Sequence, residues 1–242
     1  MDPITAIAAS GLRARMESLD LLANNVANAS TGGYKADREF YSLYAAPETA
    51  DNDPLSTMPV IEKPWVDHAQ GTLESTGNPT DFALSGRGFF AVNGPTGPLY
   101  TRNGNFRVGA DGKLVTGEGY ALRGQQGAPL NVVATLPLEV SSDGTVTQDG
   151  NVVGRMEVVD FTSTAGLSKQ GANYFRVANP TQTPPVSSTA TIEQGHLEAS
   201  NTGSAEAAVR LISVMRQFEM LQRAVSLGAE MNKRAIEEVA KV

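Results

Sequence analysis

Two histidines, His68 and His196, and no cysteine are all that the chain offers to soft metals or to a histidine relay. A Ser-His-Asp arrangement or a zinc site needs several such groups converging on one point, and two histidines in separate segments supply too few. The stretch Ser85-Gly86-Arg87-Gly88-Phe89-Phe90 contains a G-x-G. The third glycine and the Lys-Ser/Thr of a phosphate loop do not follow, so it reads as a tight turn leading into a strand. Acidic residues are numerous, but Asp111, Asp143 and Asp149 each precede a glycine, a turn chemistry that explains them better than a paired-carboxylate glycosidase centre does. Trp65 is the sole tryptophan, which leaves no aromatic platform for sugars or bases. No catalytic, cofactor-binding or metal-ligating residue is assigned, and the expectation is a protein that is not an enzyme and needs no cofactor.

The formal charge is −7 and no run of Lys/Arg exceeds a pair, so the electrostatic footprint of a nucleic-acid binder is missing. No stretch approaches the roughly 20 apolar residues of a membrane span, which argues against direct membrane insertion. The N-terminus, Met1-Asp2-Pro3-Ile4 with Arg13, Arg15 and Glu17 soon after, lacks the basic and apolar regions of a cleaved secretory signal. Absence of cysteine permits passage into an oxidising compartment without mispairing. With 242 residues, 40% hydrophobic, the chain can bury one moderate core or two small ones. Its 24 Gly and 13 Pro favour turn-rich β structure.

Composition changes near Gly32-Gly33 and near Gly203, and helical periodicity lies outside those points. Over residues 3–29, Ala8, Leu12, Met16, Leu19, Ala23 and Val26 step by three and four to form one stripe, with Pro3 in the first turn and the glycine pair as the stop. From Ser204 onward, Ala208, Leu211, Met215, Phe218, Gln222, Val225, Ala229, Asn232, Ile236 and Val239 step 3-4-3-4 as the a/d seam of a coiled coil does. Such a helix is roughly 55 Å long, more than a small body can cover, so neighbouring copies are expected on its seam. Between the ends, Asn103-Gly104, Asp111-Gly112, Asp143-Gly144 and Asp149-Gly150 carry hairpin chemistry, and residues 156–161 read as a buried strand. Residues 45–59 read as a flexible tether and residues 179–189 as a surface loop.

The fold class expected is mixed α and β: N- and C-terminal helices forming a coiled coil, with a β-rich central body of antiparallel hairpins. The corresponding domains are residues 1–33 with 203–242, a connector over 34–75, and a core over 76–202. The assembly interface is placed at Leu12, Met16, Leu19, Ala23, Asn24, Asn25, Val26 and Asn28 in the first helix, and at Leu211, Met215, Phe218, Val225 and Ile236 in the last. Three asparagines within five helical positions are poor helix formers. Two readings stay open for Asn24, Asn25 and Asn28: they end the helix and cap its turn, or their amides fix register across a subunit contact.

The run Ala23-Asn24-Asn25-Val26-Ala27-Asn28-Ala29-Ser30-Thr31, followed by Gly33-Tyr34-Lys35, resembles the N-terminal signature of the bacterial flagellar rod and hook proteins. Further matches follow in family order: Gly77-Asn78-Pro79-Thr80-Asp81 to Phe90, Tyr100-Thr101-Arg102-Asn103-Gly104-Asn105-Phe106 to Thr116, and Gln194-Gly195-His196-Leu197-Glu198-Ala199-Ser200-Asn201. Within the family the rod branch is nearest. Arg216-Gln217-Phe218-Glu219-Met220 and Tyr100 to Asn105 resemble the F type, and the segment between Lys35 and Gln70 is shorter than the G-type connector. The departure at Asn201-Thr202-Gly203 falls where the family has Asn-Val and a polar residue.

The resemblance implies a structural subunit of the basal-body rod, a periplasm-spanning drive shaft for motility. Its partners would be other rod subunits and copies of itself in a helical array, and it would be exported by the flagellar type III apparatus without a cleaved signal. In that array the terminal helices form an inner coiled-coil layer, which in the free monomer is expected to be partly disordered. The alternative from another class is a carbohydrate-binding or adhesin-like β domain with helical oligomerisation arms.

Overall fold

A computed structural model describes the backbone of residues 3–39, 41–45, 57–61, 64–171, 173–179, 181 and 183–239. The chain forms two compact units: Met1–Ala27 with Asp37–Asp67 and Gly203–Val242, and Asn28–Ala36 with His68–Thr202.

In the first unit, helices α1 (Pro3–Ala27) and α2 (Ser204–Val239) pack on each other. α1 also packs on two short strand pairs. One is β1 (Asp37–Arg38) with β4 (Trp65–Val66), and the other is β2 (Tyr41–Ala45) with β3 (Thr57–Ile61), both antiparallel. The stretch read as a tether therefore begins and ends in paired strands, Ala45 opposite Thr57; its residues 46–56 lie outside those described. The reason is the β-branched and aromatic content of the flanks, Tyr41, Tyr44, Thr57, Val60 and Ile61, which outweighs the Pro-rich interval between them.

The second unit is the β body. Its strands are β5 (Leu73–Ser75), β6 (Phe82–Ser85), β7 (Phe89–Gly94), β8 (Gly97–Thr101), β9 (Phe106–Val108), β10 (Leu114–Thr116), β11 (Ala121–Leu122) and β12 (Glu139–Val140). They continue with β13 (Thr145–Gln148), β14 (Asn151–Arg155), β15 (Val158–Phe161), β16 (Leu167–Gln170), β17 (Tyr174–Val177), β18 (Pro185–Ser187), β19 (Thr191–Gln194) and β20 (His196–Glu198). The main sheet runs β16-β17-β8-β7-β11-β10-β9, with β15 also on β7 and β18 on β15. Smaller sheets are β12-β13-β14, β19-β6 and β20-β5, and every pairing is antiparallel. Alternation sets the buried face where only one side is covered: in β13, Val146 and Gln148 point inward and Thr145 and Thr147 do not. Phe82, Leu84, Phe90, Val92, Phe106, Leu114, Leu122 and Ile192 form the centre of the core. The Phe90 and Phe106 rings meet edge to face at 5.6 Å.

Asp111-Gly112, Asp143-Gly144 and Asp149-Gly150 make turns between paired strands. Asp149 and Gly150 both take positive φ between β13 and β14, as a type I′ hairpin requires. Asn103-Gly104 does not: it lies between β8 and β9, which do not pair, and Gly104 has no positive φ. Its glycine is needed for close approach instead. The Phe82 amide donates to Gly104 O at 3.0 Å, and a Cβ on Gly104 would sit 1.5 Å from Phe82 O. Gly104→Ala should therefore cost roughly 2–4 kcal/mol by urea unfolding, since backbone and not a flexible side chain would have to move.

The stretch 179–189, read as a loop, includes strand β18, whose Pro185 opposes Phe161 and whose Val186 opposes Asp160. Proline at the first residue of an outer strand is the position where a missing N–H is tolerated.

Candidate assembly interface

α1 and α2 each present two distinct faces. On α1, Ala14, Ser18, Leu22 and Asn25 are buried. The predicted stripe lies about 110° around the helix from this face. Leu12, Leu19 and Val26 are half-buried, Ala23 and Asn24 are exposed, and Met16 is 54% exposed. Ala14, Ser18, Leu22 and Asn25 thus serve the packing inside the unit, and of the predicted stripe Met16 and Ala23 are left outside it.

On α2 the packed face follows Ala207, Leu211, Val214, Phe218, Leu221 and Val225, all buried or half-buried. It shares Leu211, Phe218 and Val225 with the predicted seam but takes Val214 in place of Met215, which is 46% exposed. The side chains of Ile236, Asn232, Val239 and Ala8 lie outside those described. A second stripe escaped the sequence reading. Val209, Met220, Leu227 and Met231 are 61–71% exposed, and their spacings of 11, 7 and 4 residues are close to three, two and one turns at about 3.6 residues per turn. Val209 is two residues from Ala207, about 200° around the axis, so this stripe faces away from the packed side. The signal was present as a second periodic set offset from the stronger 3-4 seam.

Asn25 joins the chain locally. Its amide nitrogen donates to Asp37 O at 2.8 Å and its amide oxygen accepts from Asp37 N at 2.9 Å, pinning the segment that leaves α1 to the helix. Asn28 accepts from the Thr31 backbone at 3.0 Å and from its hydroxyl at 3.2 Å, forming the turn that follows.

In the body, the segments that carried the sequence resemblance converge on two polar nodes. The first is Glu198, whose side chain is fully buried. Oε1 accepts from Lys35 Nζ at 2.5 Å and from Gly71 N at 2.9 Å, and Oε2 accepts from Arg102 Nη1 at 3.1 Å. Lys35 Nζ also donates to Ala69 O, and Arg102 donates to Leu84 O and Gly86 O. Burial lowers the pKa of the Arg102 guanidinium and the Glu198 charge opposes that shift. The second node is Asp81, which accepts from Thr76 Oγ1 at 2.8 Å, Asn105 Nδ2 at 3.0 Å and Asn78 Nδ2 at 3.2 Å. Between them, Gly33 (φ 67) lies against Asn103, with no space for a Cβ. These nodes were not legible beforehand, because Lys35 and Glu198 lie 163 positions apart and isolated charges read as surface.

Elsewhere in the body an open groove of about 570 Å³ lies among Met156, Val158, Ser187, Ala190 and Ile192, with Gln125 and Gln126 at its rim. Among the described residues, none that lines it is aromatic. His68 packs on Phe89 and Phe175, and His196 Nδ1 lies 2.9 Å from Gln194 O, within the body's own structure. Among the described residues, no group of three or more His, Asp or Glu could hold a metal.

Comparison with known proteins agrees with this distribution of motifs. Residues 6–35 match the family "Flagella basal body rod protein", residues 83–153 the "Flagellar hook protein FlgE/F/G D1 domain", and residues 193–238 the "Flagellar basal body rod FlgEFG protein C-terminal". The chain is 33% identical over 227 residues to the flagellar basal-body rod protein FlgF of Caulobacter vibrioides, covering 93% of this chain and 92% of that one. It is 28% identical over 263 residues to the rod protein FlgG of Buchnera aphidicola, with 96% and 97% covered. Against FlgG of Agrobacterium fabrum it is 30% identical over 259 residues, with 93% and 95% covered.

Proposed function

The chain belongs to the flagellar basal-body rod protein family, a structural family and not an enzyme family, and from that premise we propose that it polymerises through α1 and α2 into the axial shaft. The observation that carries this reading is that α2 is apolar on two opposite faces. One is used inside its own unit; the other, with Val209, Met220, Leu227 and Met231, is left in water. A surface helix needs only one such face, so the second is explained by a neighbour. Repeating that contact with a rotation that does not close a ring yields an open helical array. The predicted interface residues Leu12, Met16, Leu19, Ala23, Asn24, Val26 and Asn28, with Leu211, Met215, Phe218, Val225 and Ile236, contribute to the coiled-coil layer. Asn25 contributes by holding the segment after α1 in place.

The subunit acts by mechanical coupling and without catalysis. Its partners are rod subunits of related sequence and copies of itself, and it reaches the basal body through the flagellar type III apparatus without a cleaved signal. Among rod types we place it with F ahead of G, on the short segment between Lys35 and Gln70 and on the F-like residues Arg216 to Met220.

Complementation tests the reading. In cells lacking this subunit, the full chain should restore basal bodies and swimming, and a chain ending at Gly203 should restore neither. Restoration of motility by the shortened chain would overturn assembly through α2.

A further inference from the structure

The chain passes between its two units at four peptide bonds: Ala27–Asn28, Ala36–Asp37, Asp67–His68 and Thr202–Gly203. Inside the body, residues beside the last three are bonded to one another. Lys35 Nζ reaches both Glu198 Oε1 at 2.5 Å and Ala69 O at 2.6 Å. Asn201 makes three further links: Oδ1 accepts from Ala36 N at 2.8 Å, Nδ2 donates to Ala69 O at 3.2 Å, and N donates to Tyr34 O at 3.3 Å. Gly33 N donates to Glu198 O at 2.7 Å, and Arg102 fastens Glu198 to the carbonyls of Leu84 and Gly86 at the end of β6.

We infer that Lys35, Glu198 and Asn201 form a clamp joining three chain crossings into one mechanical attachment, with Arg102 as its anchor in the sheet. The inference rests on the reading of the chain as a shaft subunit and adds residues to it. Three segments enter or leave the body within a few residues of this cluster, and a single strand held only by its own ladder would peel under tension one bond at a time. Bonded to each other and to Glu198, the crossings share tension, and several hydrogen bonds and two ion pairs must break together. The low dielectric around the fully buried Lys35–Glu198 pair strengthens each of those bonds. Asn201 is the positioning residue: its amide holds Ala36 and Ala69 at the spacing that Lys35 spans.

Absence of native cysteine lets two engineered thiols define a pulling axis on the full chain. Handles at Ala9→Cys on α1 and Val152→Cys on the body send tension through the crossings; handles at Gln170→Cys and Val152→Cys load the body alone. All three positions are exposed. With the first pair, Asn201→Ala and Lys35→Met should lower the force that opens the body about twofold or more, because forced opening follows the unfolding barrier along the loaded path. With the second pair the force should stay near the parent's. An equal fall in both geometries, or no fall in the first, overturns the clamp. Should Lys35→Met fail to fold, Asn201→Ala, at a half-buried position, still decides the matter. Because the measurement is made on single chains, its outcome is independent of whether the chain complements a rod-deficient strain.

Discussion

Replacing Met220 and Leu227 together by glutamate abolishes incorporation into rods and leaves the melting temperature of the isolated chain within about 3 °C of the parent. Both side chains are 61% exposed on the outer face of α2, so in the free chain the substitution exchanges one solvated side chain for another. Glutamate is as good a helix former as methionine or leucine. Arg216 and Arg223, four residues before and three after position 220, offer it paired charges worth a few tenths of a kcal/mol. In an assembled seam the balance reverses. Each lost apolar side chain forgoes about 1.5–3 kcal/mol of burial, and each unpaired carboxylate brought out of water costs several kcal/mol more. That sum recurs at every subunit, so a partial defect is not expected. Melting by circular dichroism and electron microscopy of basal bodies give the two readouts. Normal rods would place this face outside the interface, and a collapsed melting transition would mean that the face is already used within the chain.

How much of this was legible in the sequence depends on the distance over which each signal acts. The inner ends of α1 and α2 follow from local periodicity and from the glycines, and the structure places them at Ala27 and Ser204. The choice of face was harder. A strict 3-4 repeat assumes a supercoiled helix, whereas an ideal straight one drifts against it by about 20° per heptad. Leu211, Phe218 and Val225 coincide with the packed face of α2, whose adjoining row runs through Val214 and Leu221 on one flank and not through Met215 and Gln222 on the other, a choice that only the partner surface makes. On α1, a hydrophobicity stripe gives no weight to Ala14 and Ser18, yet small residues suit a packed contact and leave Met16 and Ala23 outside it. Turn chemistry has the same limit. Asn103-Gly104 and Asp149-Gly150 look alike in sequence, but one glycine serves positive φ and the other a backbone approach from Phe82, which only the tertiary fold supplies. The Glu198 node depends entirely on long-range pairing and had no local signal.

That node yields the second large effect. Glu198→Gln keeps the side chain's shape and removes the charge between Lys35 and Arg102, both almost wholly enclosed. Two buried cations would then lose the carboxylate they share, and breaking a buried ion pair by removing one partner costs about 3–5 kcal/mol. For a body whose total stability lies at about 5–15 kcal/mol, this is a large share, and guanidinium unfolding should move accordingly. Lys35→Met alone leaves Glu198 with Arg102 and Gly71 N as partners, so its cost should be smaller. The double variant distinguishes a network from two separate contacts. If Lys35 and Glu198 act as one unit, the joint loss falls short of the sum of the single losses by at least about 1 kcal/mol, as contacting charges do in double-mutant cycles. Replacing Lys35, Arg102 and Glu198 together by Met, Met and Leu removes the desolvation cost along with the attraction. In other proteins such exchanges are often neutral or stabilising. Stability recovered in that triple variant, combined with weakened resistance to pulling through the crossings, would separate the two roles: the charges would be dispensable for holding the body folded and required for holding its chain crossings together under tension.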